Sequence, residues 1–213
     1  MPKIHGVNMS PFVRKTRAAL AEKGIAVEVV PVFPGGGGDE SFKKISPLGK
    51  IPVFEDDDGF TVPDSSVIIA YLEKTRPQPA LYPSDPQDMA TALFLEEYAD
   101  TRLVEAVITP FRERVVNKMM GQPTNEEAIA TSLREVTAPT FDYLESLLED
   151  GTEALVGGRL SVADLAVASP FVNFSHGGET VDAERWPKLA AYVERTLGRP
   201  SFKGLIAEEQ LPG

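Results

Sequence analysis

Ser10, the Ile51-Pro52 pair and the Asp64-Ser65 pair are the residues of this chain whose types and positions suit chemistry. Ser10 follows a short β-prone stretch, KIHGV at 3–7, and precedes Pro11, the pattern of an N-cap with proline at the first helical position. Unpaired backbone N–H groups and the helix dipole favour negative charge at such a point, so Ser10 is placed to meet an anion. Taken alone, it reads first as a plain helix cap. Pro52 enters a strand, IPVF at 51–54, where proline needs a special arrangement. The Ile51-Pro52 bond is predicted to be cis, which would turn the N–H and C=O of Ile51 outward to pair with an added extended peptide. A trans proline on an edge strand fits the local sequence equally well. At the start of a second helix, the Ser65 N–H and hydroxyl suit a free carboxylate and Asp64 suits an ammonium, although Asp64 is also an ordinary N-cap.

Composition narrows what such a site can do. The 213 residues include no cysteine, so disulfides, zinc-thiolate sites and a thiol nucleophile of the protein's own are excluded, and any sulfur chemistry must use a borrowed thiol. The net charge is −11, and with ten basic and ten acidic residues in 1–80 the whole deficit falls in 81–213. That argues against nucleic-acid binding, which needs a basic footprint, and fits a solvated acidic helical surface. His5 and His176 have no second ligand at useful spacing, so no metal is expected. The run PGGGG at 34–38 lacks the Gly-Lys-Ser/Thr ending of a phosphate-binding loop. EDDDG at 55–59 reads as a solvated hairpin turn. The opening residues lack a signal-peptide pattern and no segment approaches the roughly 20 apolar residues of a membrane span, so a soluble cytoplasmic protein is expected.

The elements that must position these residues follow from the pattern. A strand at 3–7, a helix at 11–23 with Val13, Arg17, Leu20 and Ala21 near helical spacing, a stop at Gly24 and a strand at 25–33 make a β-α-β unit, normally parallel. A short polar helix at 39–45, strands at 51–54 and 60–62, and a helix at 65–76 complete the first domain, 1–76. Proline spacing over 77–86 sustains neither helix nor sheet and marks a linker. The second domain, 87–213, reads as five helices: 87–118 bent at Pro110, 125–149, 161–175, 187–197 and 200–208. Ser161 and Asp164 have capping-box spacing, and Trp186 reads as a packing anchor.

The segments SPFVRK at 10–15, LGKIPV at 48–53 and PDSSVIIAYLE at 63–73, with the helical half behind them, resemble the glutathione transferase superfamily over nearly the whole chain. The resemblance implies an α/β thioredoxin-like N-terminal domain that binds glutathione, followed by an all-α helical-bundle C-terminal domain, and a homodimer. It implies that Ser10 stabilises the glutathione thiolate, that Pro52 is the family's cis-proline with Ile51 pairing to the cysteinyl backbone, and that Asp64 and Ser65 bind the γ-glutamyl group. Ser-Pro-Phe followed by Lys-Ile-Pro is similar to the tau class, which would make Lys50 a contact for the glycyl carboxylate. Asp64 stands where the family mostly has Glu or Gln, one methylene longer. SVADLAV at 161–167 resembles the family's buried folding motif, and WPKLAAYVERTLGRPSFKG its last two helices.

The implied reaction is attack of a Ser10-stabilised thiolate on a small electrophile, with the thiol pKa drawn down from about 8.5. Ser10 polarises the thiol without acting as nucleophile, and a mixed disulfide, as expected where Cys-Pro-Phe replaces Ser-Pro-Phe, is excluded. Phe12, Arg102 and Phe111 are candidates for the electrophile pocket. The competing readings are a non-catalytic ligand carrier or interaction module resembling the stringent starvation proteins, and a glutathione-dependent isomerase or dehalogenase.

Overall fold

The computed structural model describes residues 1–34 and 40–209. The chain opens with β1 (Lys3–His5), α1 (Pro11–Glu22) and β2 (Glu28–Val30). Ser10 caps α1 in an extended conformation, Pro11 supplies the first helical φ, and Gly24 ends the helix at φ 68°. The short helix α2 (Phe42–Ile45), β3 (Val53–Glu55), β4 (Thr61–Pro63) and α3 (Ser65–Thr75) follow. The sheet order is β2-β1-β3-β4, with β1 parallel to β2 and antiparallel to β3. The strand expected over 25–33 shrinks to its three paired residues, and most of the glycine run, at 35–38, lies outside the described residues. The acidic hairpin is more than a solvated turn. Asp57 and Asp58 are exposed, but Asp56 accepts from both Arg76 Nη atoms and from the Tyr71 hydroxyl, which hold its carboxyl well below the usual range.

Helices make up the rest. The first is α4, a continuous run over 86–119 in which Pro86–Tyr98, Val104–Phe111 and Asn117–Met119 are α-helical and Ala99–Leu103 and Arg112–Val116 are π-helical. The disturbance expected at Pro110 takes the form of the second π segment, directly after it. Proline has no N–H to give the carbonyl four residues back, and that carbonyl, Ala106 C=O, instead accepts from the Thr137 hydroxyl of the next helix. That helix is α5, over 126–146, with its own π segment at Leu133–Thr137. It is followed by α6 (Val162–His176), α7 (Pro187–Leu197) and α8 (Pro200–Ala207).

The central helix is α6, buried from Val162 to Phe174 along its whole circumference. One core cluster joins it to α4, α5 and α7, with Trp186 edge-on to Phe141 at 5.2 Å as the expected packing anchor. A second joins it to α1 through Ala18 and Ala19 and to α8 through Phe202 and Leu205. The exposed and buried faces of α1 differ from those expected. Ala21 faces solvent, while Arg14 and Lys15 are each 1% exposed. Long cations enter a core only with partners, and both have carboxylates from the helical part. Arg14 Nε meets Glu209 at 2.6 Å, and Lys15 Nζ meets Asp100 at 2.5 Å and Glu96 at 3.1 Å.

Candidate active site

Strand register brings the three sequence motifs to one end of the sheet. His5 pairs with Val53 and Val53 with Pro63, so the segment leaving β1, Pro52 entering β3 and Asp64 leaving β4 lie side by side across strands about 4.8 Å apart. Gly6 lets this end close up, since a β-carbon there would sit 2.5 Å from Val13 Cγ2.

Ser10 is half-buried at the head of α1. Its Oγ accepts from Val13 N at 3.4 Å, a long cap bond, and its own N–H donates to Val7 C=O. A hydroxyl has one hydrogen and two lone pairs. The cap uses a lone pair only, and among the described residues no acceptor takes the hydrogen. Capping and binding an anion are therefore compatible at this residue. The first turn of α1 holds no acidic side chain to offset the positive helix end.

The Ile51-Pro52 bond is cis, as expected, and neither the N–H nor the C=O of Ile51 has a backbone partner among the described residues. Pro52 C=O accepts from Asp64 N at 3.3 Å, which ties the two loops together. Asp64 has φ 79° and ψ 132°, the one non-glycine residue at positive φ among those described. Such a conformation costs on the order of 1–3 kcal/mol and persists where surrounding structure enforces it. Its Oδ1 caps α3 by accepting from Ser66 N and Val67 N, while Oδ2 has no partner among the described residues and the residue is exposed. Ser65 is 3% exposed, at the first position of α3. Lys50 projects into solvent, and its C=O accepts from the Ser46 hydroxyl.

The three pocket candidates are not brought together by any ring contact or hydrogen bond. Phe12 is partly exposed beside Ser10. Arg102 pairs with Glu105 at 3.1 Å on the surface of α4. Phe111 is 6% exposed, its ring 6.4 Å from that of His176. Two grooves elsewhere, about 290 Å³ around Pro83, Asp88 and Arg159 and about 520 Å³ around Thr109 and Arg112, touch none of the motif residues.

Sequence reasoning missed the cluster beneath the site. Lys15 Nζ also donates to Ser66 Oγ, which in turn donates to Asp100, so α1, α3 and α4 meet at Ser66, next in sequence to Ser65. Burial raises the Glu96 carboxyl, with Lys15 opposing it. The available signal was the charge asymmetry: cations at 14, 15 and 17 find their counterions at 96, 100, 208 and 209. The histidines are likewise engaged, His5 with Glu55 and His176 with Glu209.

Comparison with known proteins decides the lineage. Residues 4–80 match the model of the glutathione S-transferase N-terminal domain and residues 110–209 that of the C-terminal domain. The chain belongs to the glutathione S-transferase family. Among its relatives in that family are the uncharacterized GST-like protein YibF of Escherichia coli, 32% identical over 94% of this chain and 96% of that one, and the maleylacetoacetate isomerase of Rattus norvegicus, 30% identical over 95% and 90%. A glutathione S-transferase structure from Rhodospirillum rubrum superposes with a TM-score of 0.89 at 28% identity, covering 100% and 94% of the two chains. One from Methylobacterium radiotolerans in complex with glutathione sulfonate gives 0.79 at 30% identity over 100% and 97%. The expected architecture, a thioredoxin-like sheet domain followed by a helical one, is thus the architecture of this glutathione S-transferase family member. Membership of this family supports a glutathione-dependent enzyme, and glutathione is the thiol borrowed by a chain that has no cysteine of its own. No helix among the described residues is long and apolar enough to cross a membrane.

Proposed function

We propose that this protein binds glutathione at the sheet end formed by Ser10, Ile51-Pro52 and Asp64-Ser65 and transfers its thiolate to a small electrophile. The observation that carries the reading is the Ser10 hydroxyl, whose hydrogen has no acceptor among the described residues, at an unneutralised helix N-terminus. The remaining groups fit a γ-glutamyl tripeptide. The Ile51 amide and carbonyl, without a backbone partner among the described residues, suit the cysteinyl backbone, Ser65 suits the γ-glutamyl carboxylate, and Asp64 Oδ2, likewise without a partner among them, suits the ammonium. Lys50 suits the terminal carboxylate across solvent. In the proposed step the Ser10 hydroxyl donates to sulfur and the α1 dipole favours the thiolate, so the S–H proton leaves to solvent before attack. The thiolate then forms the carbon–sulfur bond and, with an aryl halide, the halide departs with the electron pair of its bond to carbon. The electrophile enters over Phe12, the partly exposed pocket candidate beside Ser10. We also propose that 1–76 and 87–213 act as two domains joined at 77–86 in a cytoplasmic protein.

A second reading has support from the isomerase relatives: reversible addition of the thiolate to an activated cis double bond, rotation about the resulting single bond, and elimination that returns glutathione unchanged. Glutathione titration followed by assays on an aryl halide and on a cis-olefinic keto diacid separates the readings. Conjugation consumes glutathione stoichiometrically, whereas isomerisation proceeds with none consumed. Binding with neither reaction would leave a carrier, and absence of binding would end both enzyme readings.

Homodimerisation is part of the same proposal. Phe60, Val67 on α3 and Phe94 on α4 are each more than half exposed, apolar surface of the kind that a second copy covers. Sedimentation velocity should give the mass of two chains, and a monomer at micromolar concentration would refute it.

A further inference from the structure

The backbone on both sides of Ser10 is gripped by α6. Met9 C=O accepts from Asn173 Nδ2 at 2.8 Å, and Pro11 C=O accepts from the Ser169 hydroxyl at 2.6 Å. Asn173 and Ser169 are both 0% exposed and stand four residues apart, one turn of the same helix face. Arg14, one turn along α1 from Ser10, completes the frame. Its Nη1 donates to Ser169 C=O and to Asn173 Oδ1, and its Nε and Nη2 donate to the two oxygens of Glu209. With its oxygen facing a guanidinium, the Asn173 amide has only its NH₂ left to turn toward Met9. Glu209 is fixed in turn by His176 at 2.7 Å. Burial works to raise its carboxyl, but the bonds from His176 and Arg14 outweigh burial and hold it below the ordinary value.

From this arrangement we infer that Asn173 and Ser169 are positioning residues that fix the Ser10 backbone so that its hydroxyl hydrogen is aimed at the bound sulfur. The inference rests on the reading of Ser10 as the thiolate ligand. Within the loop from Gly6 to Ser10, Gly6 N–H reaches Val30 C=O, Gly6 C=O accepts from Val32 N–H, Ser10 N–H reaches Val7 C=O and the Asn8 side chain meets Arg17 and Glu208, but none of these bonds holds the Met9 or Pro11 carbonyl that flanks Ser10. A donor that must lie within about half an ångström of its working position needs both flanking peptides held. Pinning one carbonyl before and one after Ser10 does this, and it makes the geometry of the catalytic serine depend on a helix more than 150 residues away in sequence.

Two near-isosteric variants isolate the grip. Asn173→Asp keeps the acceptor for Arg14 and removes the donor to Met9, while Ser169→Ala removes only the donor to Pro11. The readout is the thiol pKa of bound glutathione, taken from ultraviolet thiolate absorbance and from the pH profile of kcat/KM, in wild-type and Ser10→Ala backgrounds. In the wild-type background each variant should raise the thiol pKa by roughly half a unit to one unit and lower turnover at neutral pH by about three- to tenfold, with KM for glutathione within about twofold. In the Ser10→Ala background neither should add a shift. Unchanged profiles, or equal shifts in both backgrounds, would overturn the inference, because the effect would then not pass through Ser10. If Ser10→Ala itself leaves the profile unchanged, the thiolate assignment fails and the grip falls with it. Ser169→Ala gives the answer alone should Asn173→Asp not fold.

Discussion

Ser10→Ala is expected to lower turnover with an aryl halide by roughly 10²- to 10³-fold, the usual loss when one donor to a developing or resident anion is removed from a preorganised site. Glutathione affinity should stay within a few-fold, because the Ile51 backbone, Asp64 and Ser65 are untouched. The bound thiol should drift back toward its free value near 8.5, so the deficit narrows as pH rises and the thiolate forms without help. That pH dependence separates lost thiolate stabilisation from a folding defect, which would persist at every pH. A folding defect is also not anticipated on structural grounds. The cap bond from Val13 N is 3.4 Å long, and losing a good cap costs only about 1 kcal/mol. Pro11 remains to fix the first turn. Ser10→Thr retains the hydroxyl and should recover part of the rate. An alanine variant with wild-type turnover at neutral pH would sink the assignment.

What the sequence disclosed and what it hid divide along chain separation. Ser10, Pro52 and Asp64 were legible because each is a local device, a cap or a proline at a strand entry, whose geometry is set by its immediate neighbours. Their convergence was not derivable from those residues alone. It is a consequence of the register His5 to Val53 to Pro63, and only the resemblance to a family stood in for it. The local readings of Ser10 and Asp64 as helix caps hold, and they leave room for the functional ones, since a hydroxyl or a carboxylate has more bonding capacity than a cap consumes. Arg14 and Lys15 stayed invisible because a cation on a helix is read as solvated, and the partners that permit burial lie 81 to 195 positions away. The π segments of α4 and α5 leave the apolar pattern nearly intact, so periodicity reports one long helix in each case. The cis bond at Gln78-Pro79 in the linker had no signal beyond the proline itself.

Asp164→Ala is expected to be the most destabilising single change, lowering stability by about 4–5 kcal/mol and the melting temperature by roughly 10–20 °C, at about 2–4 °C per kcal/mol for a chain of this size. Asp164 is 0% exposed at the start of α6 and accepts four hydrogen bonds: Leu155 N at 2.8 Å, Ser161 N at 2.8 Å, the Ser161 hydroxyl at 3.1 Å and the Tyr192 hydroxyl at 2.7 Å. Truncation leaves two backbone N–H groups and two hydroxyls without acceptors where water does not reach, each costing about 1–3 kcal/mol before relaxation. Against a total stability on the order of 5–15 kcal/mol, that places the protein near its folding threshold. The capping-box spacing would by itself suggest only about 1 kcal/mol, so the magnitude tests whether the carboxylate acts as a hub joining the 155 loop, α6 and α7 or merely as a helix cap. Asp164→Asn separates charge from shape. Its oxygen can still serve Leu155 and Tyr192, but its NH₂ then faces the Ser161 N–H, and an intermediate loss is expected. The pH dependence has a definite sign. Burial raises the Asp164 carboxyl above its unfolded value, against the bonds it accepts, so this group's contribution is greatest at low pH and declines as pH rises through the folded value. The penalty for alanine should therefore be no smaller at pH 4 than at pH 7. Thermal melts of both variants at the two pH values would show it, and a loss of only about 1 kcal/mol, or one that vanishes in acid, would reduce Asp164 to an ordinary cap.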